Sequence, residues 1–227
     1  MPLPLSILVL FLPSPLKILF LRAAGHKVGE NCHIGFSIIN ARTVCLGDNT
    51  FIGHFNLIWR LEELRLMEGS IIETLNWITG GGRGAFVLGE NSAATMLHFF
   101  EASSGITIGS NTIIGGRGSI FYTHGITPVN LDDGRAIKIG DWCYIGAVAR
   151  FVPGTGLADH SFVGMGSVVT KKFDDSYVLL AGCPARVRKN IPANASYFNR
   201  THMSHSHHNG PHSQNGAKQH GGPKAGV

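Results

Sequence analysis

From residue 139 onward a large apolar side chain returns at every sixth position: Ile139, Ile145, Phe151, Leu157, Val163 and Val169. Two residues ahead of each one after the first stands a small or thin side chain: Cys143, Ala149, Thr155, Ser161 and Ser167. Gly140, Gly146 and Gly164 directly follow large residues. The same frame runs upstream as Val28, Ile34, Asn40; Leu46, Ile52, Ile58; Leu66, Ile72, Ile78; Leu88, Ala94, Phe100; and Ile108, Ile114, Ile120. Triplets of hexads therefore begin at 28, 46, 66, 88, 108, 139 and 157, and together they fill residues 28–174. No helical period explains a small residue at the fixed fifth place. A hexad makes a short strand and a turn, and three hexads make one triangular coil. Coils stack at the strand spacing of about 4.8 Å, so like residues form columns. The pattern predicts an all-β parallel β-helix of about seven coils.

Flanking segments break the pattern. Residues 1–27 open with an apolar stretch, MPLPLSILVLFLPSPLKILFLRAA, whose first charged side chain is Lys17. It is interrupted by prolines, is too short for a membrane span of about 20 residues, and lacks the positive start of a signal peptide. Ser14 followed by Pro15 predicts the start of a short helix. Two roles stay open for residues 1–24: a cap on the first coil, or an interfacial anchor with Lys17 and Arg22 near lipid head groups. Residues 175–192 predict a capping segment after the last coil. Residues 193–227 are polar and rich in Gly, Asn, Ser and His, with six of the twelve histidines between His202 and His220; this composition predicts a disordered tail.

Composition narrows the function classes. The 227 residues carry a net charge of +5 with only 15% charged side chains. Part of that excess lies in the tail and near residues 186–189, so no basic stripe points to nucleic acid. Cys32, Cys45, Cys143 and Cys183 are widely spaced. That spacing argues against a disulfide framework or a zinc site and fits a reducing, cytoplasmic compartment.

The period breaks once inside the solenoid. FYTHGITPVNLDDGRAIK separates Ile120 from Ile139, with Pro128, Asn130, Asp132, Asp133 and Gly134 as turn formers. This predicts a loop projecting from a rigid scaffold. His124 lies at its base, four residues after Ile120, where the beat calls for a small residue. Imidazole is suited to take a proton from a hydroxyl near neutral pH.

IGDWCYIG, GMGSVVTKKF and LLAGCPARVRKNI resemble the end of the hexapeptide-repeat acyltransferases, over roughly residues 20–192. GSVVTK and AGCPARV resemble the sugar O-acetyltransferase branch. The resemblance implies a left-handed β-helix, a homotrimer with sites between subunits, and acetyl-coenzyme A as acyl donor to a sugar or glycolipid acceptor. It implies that His124, in the YTHG segment, is the base, and that the Ala147 N–H steadies the oxyanion of the thioester. Tyr144, Gly146, Ala147, Gly164 and Met165 would line the pantetheine arm, with Thr170 and Lys171 farther along. Lys171, Lys172, Arg186 and Lys189 would meet the phosphates. His98 falls near the family's acceptor-binding asparagine, stacked in a column with Asn56 and Asn76; the alternative is a buried, hydrogen-bonded histidine. Glu101 is read either as a ligand for sugar hydroxyls or as a solvated turn residue. Cys143 and Cys32 are read as core, and no metal is required. Two other functions stay open: a non-catalytic β-helix scaffold, and a zinc carbonic anhydrase of the same fold, against which His98 and His124 stand alone in their coils.

Overall fold

The computed structural model describes residues 9–125 and 134–200. Pro128, Asn130, Asp132 and Asp133 of the predicted loop, residues 1–8, and the tail from 201 onward lie outside the described residues. The chain forms a left-handed parallel β-helix of about seven turns with a short helix, α1 (Ser14–Ala23), at its N-terminal end. Its strands fall on three faces. Val28, Leu46, Leu66, Leu88 and their successors to Phe173 stack on the first face. Ile34 to Leu180 stack on the second. The third carries Ile58, Ile78, Phe100, Phe121, Phe151 and Val169. Strands Ile38–Leu46 and Leu57–Leu66 run unbroken through a corner and tie the third face to the first as one 13-stranded sheet. The second face is a separate sheet of nine strands.

The inward columns are buried, and on the third face three of the rings stack, Phe100 on Phe121 at 4.8 Å and Phe121 on Phe151 at 4.6 Å between centroids. Two positions of the six-residue frame are corrected here. Ile39, not Asn40, opens the third-face column, pairing with Ile58. Phe121, not Ile120, continues it and is fully buried. The corner before Ile39 is one residue short, and the corner Gly115–Ser119 is one residue long, so each shifts the inward side chain by one place.

A polar ladder climbs the corner between the second and third faces. The Asn56 N–H donates to Ser37 Oγ at 2.9 Å, the Asn76 N–H to Asn56 Oδ1 at 2.9 Å, and the His98 N–H to Asn76 Oδ1 at 3.0 Å. The Ser119 N–H donates to His98 Nδ1 at 3.1 Å, and the Ala149 N–H to Ser119 Oγ at 3.2 Å. Each coil thus satisfies a buried backbone donor of the next, as a closed interior requires.

Both ends of the solenoid are closed. At the N-terminal end α1 turns Ser14, Lys17, Ile18 and Leu21 inward. Ser14 does not cap the helix; its Oγ accepts the Ile34 N–H at 2.9 Å, and Pro13 stands at the N-cap. At the C-terminal end strand Val178–Gly182 adds to the second face, and Ala185–Asn190 folds back antiparallel along it, covering the edge. Residues 193–200, expected in the tail, are packed. A 3₁₀ turn, Ser196–Asn199, sets Tyr197 and Phe198 on the outside of the second face; the Tyr197 hydroxyl donates to the Cys143 carbonyl at 2.7 Å.

Candidate functional site

The two residues expected to carry the chemistry, His124 and Ala147, stand at two corners, one along each edge of the third face. At the first, strand Ile120–Tyr122 ends and the loop begins. Because the column passes through Phe121, the inward place after it belongs to Thr123, which is fully buried, while His124 is exposed. The small side chain of the beat is thus Thr123, and the His124 imidazole faces solvent.

Glu101, one coil earlier, fixes that geometry. Its Oε2 accepts both the Thr123 N–H and the Thr123 hydroxyl at 3.0 Å, and its Oε1 accepts the Ser103 N–H at 3.0 Å. The Thr123 Oγ1 accepts the Ser104 N–H at 3.0 Å. The Thr123 carbonyl takes the Arg135 N–H at 2.7 Å, and the Arg135 carbonyl takes the Gly154 N–H at 3.1 Å. Both stems of the loop are therefore pinned to the scaffold, and the Glu101 carboxylate is spent on this anchor rather than on a sugar. Hydrogen bonds to a charged group contribute about 1.5–3 kcal/mol. The Thr123 N–H also reaches the Glu101 carbonyl at 3.1 Å, so Glu101→Ala is expected to speed amide exchange chiefly at Ser103, by roughly ten- to a hundredfold, measured by hydrogen–deuterium exchange.

The second corner carries Ala147. The Ala147 carbonyl accepts the Gly166 N–H at 2.9 Å, whereas its own N–H has no partner among the described residues. Gly116, one coil before, has φ +73°, and a Cβ there would lie 2.6 Å from the Ala147 Cβ. The corner is thus built so that backbone comes close to the surface. Met165, one coil after, is 76% exposed, while Gly146 is buried and Gly164 half-buried. Tyr144 sits just off this corner, on the outside of the second face. Its ring lies across Gly115, where a Cβ would meet the Tyr144 hydroxyl at 2.7 Å, and it packs against Phe162 and Tyr197. Sequence reasoning placed Tyr144 toward a cofactor arm; the Tyr197 ring, with the centroids 6.0 Å apart, covers part of it.

The remaining expected residues are divided. Thr170 and Lys171 follow Val169 and lie at the His124 corner two coils on, not at the Ala147 corner. Lys172 begins the last strand of the first face. Arg186 and Lys189 lie on the antiparallel edge strand of the second face. All five are exposed, and none of the four cations has an ion pair among the described residues.

His98 is not available to an acceptor. It is 1% exposed, its Nδ1 accepts the Ser119 N–H, and its Nε2 lies 3.0 Å from Thr95 Oγ1. That network assigns the proton to Nε2. Burial lowers its pKa to about 4, so it is a neutral rung of the ladder. Burial likewise pushes the Cys143 thiol up to about 12, against any nucleophilic role. Among the described residues no group of three His, Cys, Asp or Glu side chains is arranged to hold a metal ion.

Similarity to known proteins agrees with the repeat. The family model described as the hexapeptide repeat of succinyl-transferase matches residues 136–171. A curated Dictyostelium discoideum protein, named as a candidate acetyltransferase, is 39% identical over 110 residues, covering 46% of this chain and 57% of that protein. The chain thus spans little more than half the length of that relative. Among solved structures, the polySia-specific acetyltransferase NeuO superposes with a TM-score of 0.51 at 19% identity, covering 73% of this chain and 81% of that one. A hexapeptide-repeat acetyltransferase of Vibrio cholerae, solved with acetyl coenzyme A, gives a TM-score of 0.49 at 18% identity over 83% and 84% of the two chains. The NeuO superposition speaks for the fold.

Proposed function

We propose that the chain belongs with the hexapeptide-repeat acetyltransferases and transfers an acetyl group from acetyl-coenzyme A to a hydroxyl of a sugar or glycolipid, in a site completed by two copies of the chain. His124 removes the proton from the acceptor hydroxyl. The oxygen attacks the thioester carbonyl, the Ala147 N–H holds the oxyanion, and the intermediate collapses to the ester and the coenzyme thiol. The observation that carries this reading is an exposed histidine on a doubly pinned stem, paired with an unpartnered backbone N–H at a close-approach corner.

The two groups act on one carbonyl only across a subunit boundary. The Val148 N–H bonds to the Arg117 carbonyl, which levels the Ala147 corner with Arg117 in the coil of His124. Seven further residues lead from there to His124, mostly extended, or roughly 15–20 Å. One chain cannot bridge that gap; two chains packed along their third faces can. The outside of that face favours such packing. Leu57, Trp77, Phe99 and Ile120 form an apolar column on it, with Trp77 half exposed. Beside it Phe55, Leu75, Leu97 and Val148 hold φ near +60° with their apolar side chains 38–68% exposed. Bulky residues in that conformation cost about 1–2 kcal/mol each, which burial against another copy would offset. The same packing would bring Thr170 and Lys171 of one copy toward the Ala147 corner of the next. A closed ring of three meets the heterologous geometry.

The direct test is thiol release from acetyl-coenzyme A with a panel of sugar acceptors. Acceptor-dependent release supports the reading; no release and no coenzyme binding by calorimetry leaves a non-catalytic solenoid. The shared site has its own test. His124→Ala and Ala147→Pro, the latter removing the N–H, are each expected to be inactive. Co-folded in equal amounts, they are expected to regain about a quarter of wild-type activity, the fraction of boundaries that unite an intact histidine with an intact N–H. Recovery near zero, with both variants folded and trimeric, would place the site within one chain.

A further inference from the structure

We infer that the N-terminal end of the solenoid docks on an anionic lipid surface through the outward side of α1. This inference stands apart from the proposed chemistry. Helix α1 carries two apolar stripes. The inward one is used: Leu21 joins the core, Ile18 packs against it, and Lys17 is 2% exposed with its Nζ donating to the Gly35 carbonyl at 2.5 Å. Lys17 also lies over the Phe36 ring at 5.2 Å, and desolvation lowers its pKa. Of the two roles open from the sequence, the anchor set Lys17 near head groups; the structure instead takes its ammonium into the protein. Leu16, Leu19 and Ala23, spaced by three and four, face outward, and Phe11 stands before them. Phe11 is 71% exposed, Leu16 48% and Leu19 64%. A helix apolar on both sides requires burial on both.

Lipid is the occupant the surroundings favour. The residues before Val9, MPLPLSIL, add no charged side chain, so the apolar character continues beyond the described helix. Arg22 binds the Val28 and Gly29 carbonyls and pairs with Glu30 at 3.4 Å, while Lys27, four residues past the end of the helix, is exposed and carries no ion pair among the described residues. An unpaired cation one turn of chain beyond an exposed apolar helix suits acidic head groups. The three exposed side chains offer on the order of 350 Å², well short of the about 800 Å² per partner that a stable protein interface buries. No described helix is long and apolar enough to cross a membrane, so contact would be interfacial.

The test is co-sedimentation of the full chain with phosphatidylcholine vesicles and with phosphatidylcholine–phosphatidylserine vesicles. The wild type is expected to bind both, more tightly with phosphatidylserine. Leu16→Gln/Leu19→Gln is expected to lose at least tenfold in partitioning with its melting temperature unchanged, since neither side chain reaches the core. Lys27→Gln is expected to lose about fivefold, on the phosphatidylserine vesicles only. Three results would each overturn the inference. The wild type could bind neither vesicle. The double variant could bind as well as the wild type. Or the double substitution could lower the mass of the assembly or the melting temperature while the wild type ignores lipid, which would assign the face to a second copy or to residues 1–8.

Discussion

His124→Ala is expected to abolish most acceptor-dependent thiol release, lowering kcat by about 10²–10⁴-fold, the range that general base catalysis contributes. The apparent KM for acetyl-coenzyme A should change little, because the Ala147 corner proposed to receive the thioester lies along the other edge of the third face. The fold should survive: the side chain is exposed, and the anchors of the stem are the Glu101 carboxylate and the Thr123 and Arg135 backbone. His124→Gln retains hydrogen-bonding capacity without a base and should be equally slow, which separates proton removal from positioning. Measurement is by thiol detection at saturating donor, with melting temperature as the check on folding. Release that persists undiminished in either variant would remove His124 from the chemistry.

That prediction rests on a residue the sequence located but whose place in the six-residue frame it miscounted by one. The six-residue period exposed the solenoid because each coil repeats one physical problem, a large residue inward and a thin one at the corner. It could not count corner residues. Ile38 and Ile39 offer apolar side chains at neighbouring places, as do Ile120 and Phe121, so both parities look acceptable. The glycine-rich corner Gly115–Ser119 absorbs an extra residue at little conformational cost. One step of register then turns Thr123 in and His124 out.

Other misreadings share a cause: the partner is distant in sequence. Glu101 looked like a free acid because its ligand, Thr123, is a coil away. The resemblance sets Thr170 and Lys171 with the Ala147 lining; a triangular coil sends consecutive hexads to different faces, so within one chain they stand at the His124 corner. Residues 193–200 were read with the tail by composition. The adjacent aromatic pair Tyr197–Phe198 was the signal against that, since two large rings in a polar stretch call for a surface, here Tyr144, Phe162 and Tyr177. The Asn56–Asn76–His98 column, by contrast, was visible from spacing alone, and its hydrogen bonds show what the histidine does there.

That column supplies the second large effect, a stability that depends on one buried imidazole. His98 has its pKa lowered from 6.5 to about 4, first by desolvation. A second proton would also have to sit on Nδ1, where the Ser119 N–H already points at it. The unfolded chain therefore binds a proton between pH 6.5 and 4 that the folded chain refuses. Stability is fully present above pH 6.5 and falls as the pH drops through that window, by about 3 kcal/mol in all from a shift of this size. Below pH 4 both states are protonated and the loss levels off. Asparagine at position 98 would continue the pattern of Asn56 and Asn76, with an acceptor for the Ser119 N–H and no group to titrate. The difference in unfolding free energy between His98→Asn and wild type should thus shift by about 3 kcal/mol in favour of the variant between pH 7 and pH 4. Urea unfolding of both proteins across that range, at one protein concentration so that assembly contributes equally, measures it. A difference that stays constant with pH would mean that His98 takes up its proton in the folded protein as readily as in the unfolded chain, and that the ladder tolerates a charge at its centre.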